Sequence, residues 1–289
     1  MTESTPPPWT IPALRRYKAG PEHPPLVMVT AYDAPSARFA ADAGVDLILV
    51  GDSVGTTLLG YDSTVPVTMD DILHHLKAVR RGAPHAQIVA DLPFMSYQVS
   101  DEQAVTNAGR LMKEGGADSV KLEGGVRLAN RVRAIADAGI PVVGHIGLTP
   151  QTAGLLGGFK VQGQEIESAR ALLDDADAVA AAGAMMLVVE VVPAAVTSLI
   201  TERVSIPVIG IGAGPDCDGQ VLVMHDLLGI EDRHAARFVK RYATLAQDMR
   251  EGFAAFAADV RSRAYPQPEH GYKMKSSVLA DLRGTGERE

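Results

Sequence analysis

Eight short apolar runs punctuate the chain, at residues 26–30, 46–50, 88–90, 119–122, 142–145, 185–189, 208–211 and 221–224. Each is hydrophobic without a break, where a strand with one wet face would alternate. Unbroken runs of this length predict strands buried on both faces, as in a parallel sheet. Between them lie amphipathic stretches that predict helices over 35–43, 69–81, 102–114, 127–138, 165–182 and 195–202. After the last run the pattern predicts a helix over 235–249 and a further one to about 263.

One join recurs where helix gives way to strand: Asp42-Ala43-Gly44-Val45, Glu114-Gly115-Gly116-Ala117, Asp137-Ala138-Gly139-Ile140 and Ala181-Ala182-Gly183-Ala184. Glycine takes the left-handed conformation that ends a helix and turns the chain back. Regular alternation of strand and helix implies a parallel sheet with right-handed crossovers. Eight units in 289 residues favour an α/β fold of the closed (β/α)8 TIM-barrel type, as a single domain. An open dinucleotide-binding sheet would want a glycine-rich turn after its first strand, and Thr30-Ala31-Tyr32-Asp33-Ala34-Pro35 has no glycine. The expected organisation is a disordered, proline-rich tail over 1–13, a barrel over 14–265 and a polar C-terminal tail over 266–289.

Composition narrows the class. A hydrophobic content of 46% suits a sizeable core, and a net charge of −8 argues against a nucleic-acid partner. No apolar run reaches the ~18 residues a membrane span needs, and no signal peptide is evident. Cys217 is the single cysteine, which excludes an internal disulfide and fits a reducing cytoplasm. Its setting between Asp216 and Asp218 raises a thiol's pKa, so it makes a poor nucleophile.

The candidate chemistry sits where strands end. Asp52, Asp91, Glu123 and Glu190 follow or close the second, third, fourth and sixth runs, at the carboxyl end where barrel active sites lie. Lys121 and Glu123 are two apart and so share one side of their strand. Any one acid could instead cap a helix; four at one rim point to a site. Two like charges ~4 Å apart at an effective dielectric of ~20 cost ~4 kcal/mol, a repulsion that a divalent cation would remove. Oxygen donors of this kind suit Mg2+. Lys121 serves either as an ammonium that holds a carboxylate or as a Schiff-base amine; nearby acids favour the ammonium. Glu190, set apart against Met186 and Val188, reads either as a base with a raised pKa or as a substrate-orienting acid. His145 reads either as a donor supporting the site from behind or as a satisfied core group. The 154–163 stretch, with glycines at 154, 157, 158 and 163, is either a lid or a mobile loop. Gly210-Ile211-Gly212-Ala213-Gly214 is a weak phosphate signal, since glycine runs also permit tight turns.

At these residues the sequence resembles the ketopantoate hydroxymethyltransferase family. The resemblance runs from about 14 to 265 and includes Val50-Gly51-Asp52-Ser53, Asp91-Leu92-Pro93-Phe94-Met95, Lys121-Leu122-Glu123-Gly124-Gly125 and Gly144-His145-Ile146-Gly147-Leu148-Thr149-Pro150-Gln151. Gly60-Tyr61-Asp62-Ser63-Thr64-Val65-Pro66-Val67-Thr68 and Asp218-Gly219-Gln220-Val221-Leu222-Val223-Met224-His225-Asp226 extend it. It implies a TIM barrel that passes a one-carbon unit from 5,10-methylenetetrahydrofolate to 3-methyl-2-oxobutanoate in pantothenate and coenzyme A biosynthesis. It implies Asp52, Asp91 and Glu123 as the Mg2+ site, with one ion per subunit. It further implies that Asp52, Ser53, Asp91 and Lys121 hold the oxo acid, and that Glu190 is the proton acceptor. A homodecamer, a pentamer of dimers, is also implied, with small molecules as the remaining partners.

Overall fold

The structure, a computed structural model, describes residues 9–231 and 236–284. Two compact units divide the chain, Met1–Tyr242 and Ala243–Glu289. The first contains a closed barrel of eight parallel strands in sequential order. These are β1 (Leu26–Thr30), β2 (Leu47–Val50), β3 (Gln87–Asp91), β4 (Ser119–Glu123), β5 (Val142–Gly147), β6 (Met186–Glu190), β7 (Val208–Ile211) and β8 (Gly219–Leu222). The helices are α1 (Ile11–Arg15), α2 (Ala34–Asp42), α3 (Val54–Thr57), α4 (Met69–Gly82), α5 (Asp101–Arg110), α6 (Ala129–Asp137), α7 (Ile166–Ala181), α8 (Ala194–Arg203) and α9 (Met224–Leu227). The four glycine joins behave as the sequence implies: φ is +80° at Gly44, +78° at Gly116, +83° at Gly139 and +104° at Gly183.

Alternation along each strand sorts side chains into two cores. Ile48, Val50, Ile88, Ala90, Val120, Leu122, Leu187 and Val189 point outward and pack beneath the helices. Leu26, Met28, Leu47, Leu49, Val89, Val143, Met186, Val188 and Ile209 point inward and fill the barrel. Two residues beyond Val89, Val143 and Val188 come Asp91, His145 and Glu190. The period of two therefore carries these polar groups onto the inner wall, one layer above the apolar filling.

Several expectations differ from the structure. The eighth strand lies at Gly219–Leu222 rather than 221–224, because it pairs with β1 from Leu26↔Gly219 to Val29↔Leu222. A Cβ on Gly219 would come within 2.6 Å of the Leu26 carbonyl oxygen, so the strand needs this glycine. Met224 N–H instead donates to Thr30 Oγ1 at 3.0 Å and opens α9. β7 passes to β8 without a helix, through a loop in which Gly212 and Gly214 take φ of +61° and +88°. That use accounts for the 210–214 glycine run.

Part of the expected N-terminal tail is also built in. Trp9 donates from Nε1 to Asp46 Oδ1 at 2.8 Å, and its carbonyl accepts from Gln87 Nε2 at 2.7 Å. Leu14 of α1 is fully buried in the inner core, with Trp9, Ile11 and Tyr17 against it, so α1 plugs the amino-terminal mouth of the barrel. Residues 1–8, 232–235 and 285–289 of those expectations lie outside the described residues. No helix spans 236–244; the Tyr242 N–H donates to Leu227 O at 2.8 Å instead of to a helical carbonyl. The second unit holds one helix, α10 (Leu245–Ser262), and a short α11 (Ser276–Leu282). Residues 243–265, expected as the end of the barrel, therefore belong to this unit, and 266–284 are not simply a tail. α10 exposes Met249, Phe253, Phe256 and Val260. Among the described residues no helix is long and apolar enough to cross a membrane.

Candidate active site

Asp52, Asp91, Lys121, Glu123, His145 and Glu190 share the carboxyl-terminal rim of the barrel. Strand register sets them side by side: Asp91 pairs with Lys121, Glu123 with His145, and Gly147 with Glu190. Asp52 reaches the group from the loop after β2, where its backbone N–H donates to Asp91 Oδ2 at 3.0 Å. A Cβ on Gly51 would lie 3.3 Å from the same oxygen, so glycine lets this loop settle against the carboxylate. Ser53 starts the short α3, and its Oγ is 2.8 Å from Tyr32 OH.

Asp52, Asp91, Lys121 and Glu123 are each no more than 4% exposed. Lys121 Nζ lies 3.1 Å from Asp91 Oδ1 and 3.3 Å from His145 Nδ1. His145 stands between two acids, with Nδ1 3.5 Å from Glu123 Oε1 and Nε2 3.2 Å from Glu190 Oε2. Glu190 is the most open of these acids, its side chain 16% exposed. The ion pair at Asp91 Oδ1 does not have hydrogen-bond alignment, and that buried oxygen accepts no hydrogen bond among the described residues. A buried carboxylate oxygen in this condition is a strong candidate for a ligand contact.

The electrostatics follow from crowding. Burial, then the charges of Asp91 and Glu123, push the Asp52 carboxyl well above its usual range, against the pull of Lys121. Burial also raises Asp91, by more than Lys121 and the Asp52 amide lower it. Burial alone would lower Lys121, but Asp91, Glu123 and Asp52 outweigh it and hold the ammonium above its ordinary value. Burial and Lys121 likewise oppose a charge on His145, yet its contacts with Glu123 and Glu190 prevail and push it up to about 9. Four carboxylates thus face two cationic partners, so the fully ionised cluster keeps two uncompensated negative charges.

That charge, the carboxylate donor set and the Asp91 oxygen that accepts no aligned hydrogen bond fit one divalent cation. Among the described residues no three His, Cys, Asp or Glu side chains stand close enough to enclose an ion by themselves. Asp52 and Asp91 are the adjoining pair; Glu123 is engaged elsewhere, its Oε2 accepting from Gln151 N at 3.0 Å. Any cation here would need substrate or water to complete its shell, which is the habit of Mg2+.

Gln151 and Tyr97 belong to the site and carry no signal in residue patterning. Gln151 donates from Nε2 to Asp52 Oδ2 at 2.8 Å and to Leu92 O at 3.0 Å, and its Oε1 accepts from Tyr97 OH at 2.7 Å. It thereby joins the loops after β2, β3 and β5. Only its place in the 144–151 motif could have drawn attention to it. Val191, next to Glu190, has φ +51°, which is strained for a β-branched residue and marks this rim as held under constraint. Cys217 stands two residues before β8, at the opposite rim, and burial with Asp218 pushes its thiol up to about 11, which removes it as a nucleophile.

The ketopantoate hydroxymethyltransferase family model matches residues 8–268. The chain is 54% identical over 260 residues to 3-methyl-2-oxobutanoate hydroxymethyltransferase of Geobacillus kaustophilus, covering 90% of this chain and 93% of that one. It is 55% identical over 264 residues to the enzyme of the same name from Moorella thermoacetica, covering 91% and 97%. Among solved structures, phosphonopyruvate hydrolase in complex with oxalate and Mg++ superposes with a TM-score of 0.56 at 12% identity, covering 90% of each chain. The 2,3-dimethylmalate lyase of the PEP mutase/isocitrate lyase superfamily superposes with a TM-score of 0.53 at 13% identity, covering 96% and 94%. These two likenesses describe the barrel, whereas the sequence relatives share more than half of all aligned residues over nearly the whole chain. With a family model matching residues 8–268 and more than half of the aligned residues identical over nine-tenths of the chain, the chain belongs to the ketopantoate hydroxymethyltransferase family.

Proposed function

We propose that the rim cluster converts 3-methyl-2-oxobutanoate, 5,10-methylenetetrahydrofolate and water into 2-dehydropantoate and tetrahydrofolate, within pantothenate and coenzyme A biosynthesis in the cytoplasm. The observation that carries the reading is the buried nest of Asp52, Asp91, Lys121 and Glu123 with its two excess negative charges, beside buried His145 and the more open Glu190. Asp52 and Asp91 would hold one Mg2+, with Glu123 behind them. When bound, that ion supplies Lewis-acid stabilisation of charge on the ketone oxygen.

The chain's own residues supply the rest. Lys121, an ammonium, attracts the substrate carboxylate and adds positive potential where the enolate charge develops. Ser53 Oγ, positioned by Tyr32, offers a further hydrogen bond to the oxo acid. Glu190 takes the proton from C3, and His145, 3.2 Å away, steadies the charge there and holds a proton for return. Gln151 keeps Asp52 and Glu123 in register. Lone Cys217 supports the reducing compartment. The apolar face of α10 supports self-association towards the implied homodecamer.

A coupled assay with both substrates tests the reading. Turnover should require Mg2+, vanish with a chelator and return when Mg2+ is added back. Absence of 2-dehydropantoate at any metal concentration would remove the reading.

A further inference from the structure

The nest that holds the oxo acid is nearly closed, each of its four charged residues being no more than 4% exposed. A second and larger substrate cannot share it and must approach from the rim. One rim segment spans the site. The loop between β5 and α7 is tied to the site at both ends. At its start Gln151 grips Asp52 Oδ2 at 2.8 Å and Glu123 Oε2 at 3.0 Å. At its far end the Gln162 N–H donates to the carbonyl of strained Val191, beside Glu190, at 2.9 Å. The intervening residues thus run from the Asp52 side of the site to the Glu190 side.

This span turns its apolar groups outward. Leu155 is 77% exposed, Phe159 69% and Val161 44%, and exposed Lys160 sits among them. The turn between them is set by Gly157 and Gly158, with φ of +74° and +101°. Apolar side chains held in the open at an active-site rim are a binding surface awaiting a ligand. An aromatic ring, two aliphatic groups and one cation suit a flat heterocycle with an anionic tail.

We propose that residues 155–161 form the subsite for the one-carbon donor, with Phe159 and Leu155 against its pteridine and aryl rings and Lys160 paired with its glutamyl carboxylates. The inference rests on the folate-using reading above and adds to it the residues that recognise the donor.

The test uses the full-length protein with Phe159→Ala and Lys160→Ala. Three readouts are compared with the wild type: KM for 5,10-methylenetetrahydrofolate, KM for 3-methyl-2-oxobutanoate, and deuterium exchange at C3 of the oxo acid without folate. Loss of an aromatic contact should raise the folate KM by about tenfold in Phe159→Ala. The oxo-acid KM and the exchange rate should stay within about twofold, because the nest is untouched. Calorimetric binding of tetrahydrofolate should weaken in parallel. An unchanged folate KM, an equal loss of exchange, or a changed sedimentation coefficient (the loop serving as a contact between copies) would each overturn the subsite. Wild-type protein that neither exchanges nor transfers would instead overturn the folate-using reading itself.

Discussion

Replacing Asp91 by alanine is expected to lower kcat/KM by about a thousandfold or more while leaving the fold intact. The activity loss follows from position: Asp91 is 2% exposed, meets Lys121 at 3.1 Å and accepts the Asp52 N–H at 3.0 Å. Its removal takes away half of the adjoining carboxylate pair and the counter-charge that aims Lys121. Losing one preorganised group that stabilises charge in the transition state costs ~3–4 kcal/mol, about two to three decades in rate. Stability should move far less, because two effects oppose. The Asp52 N–H loses its acceptor, a cost of ~1–3 kcal/mol. Against that, the Asp91 carboxyl is already held above its usual range by burial, so the metal-free protein sheds an unfavourable charge. Steady-state kinetics with a thermal melt checks both halves. A variant with near-normal turnover would remove Asp91 from the site, and one that fails to fold would show its role to be structural. Asp91→Asn, which keeps an acceptor for the amide, should fold like the wild type and remain as inactive.

Lys121→Met is expected to be comparably damaging, and for a different reason. The ammonium is the buried positive charge of β4, and Asp91, Glu123 and Asp52 hold it protonated. Methionine keeps the length of the side chain and deletes the charge, so the carboxylates then face His145 alone. Loss of preorganised charge at a developing enolate is expected to cost ~10²–10³ in kcat, with a raised KM for the oxo acid. The wild type should yield no covalent adduct when substrate and borohydride are added together, because an ammonium does not condense with a ketone; a trapped adduct would reassign Lys121 as a Schiff-base residue. The variant should also lose stability at neutral pH. The Asp52 carboxyl is raised in the folded state, so over the window between its unfolded and folded values the native protein binds a proton that the unfolded chain does not. By linkage, stability then increases as pH falls through that window. Lys121→Met pushes the carboxyls higher still, so its melting temperature should recover on acidification more steeply than that of the wild type.

The elements legible in the sequence share one physical trait: the local pattern and the tertiary demand coincide. Strands such as Ile48-Leu49-Val50 or Leu187-Val188-Val189 are buried on both faces, so their composition alone marks them. Glycines 44, 116, 139 and 183 mark helix ends because the backbone there needs a positive φ. The acids were legible because a charge closing an apolar strand stands out. Where a distant partner dictates the outcome, the pattern is silent. Gly219 is a strand residue only because Leu26 passes against it. Gln151 matters through an amide 99 positions from Asp52 in sequence, and glutamine carries no hydropathy signal to reveal that. Trp9 and Ile11 were hidden by the prolines before them, although their apolar side chains pack against the inner core. The segment after 235 has helical composition, yet the Tyr242 amide is taken by Leu227 O. Three carboxylates at one rim suggested three metal ligands; the contacts that Gln151 makes with both Asp52 and Glu123 gave no signal there.

What the mechanism requires above all is a dication seated between the carboxyls that close β3 and follow β2. Titrating Mg2+ into the protein with 3-methyl-2-oxobutanoate present, in a calorimeter and in buffers of differing ionisation enthalpy, addresses this directly. One ion should bind per chain and displace a proton from the crowded Asp52 carboxyl, and binding should be lost in both Asp52→Asn and Asp91→Asn. Undiminished Mg2+ affinity in either variant would contradict the account.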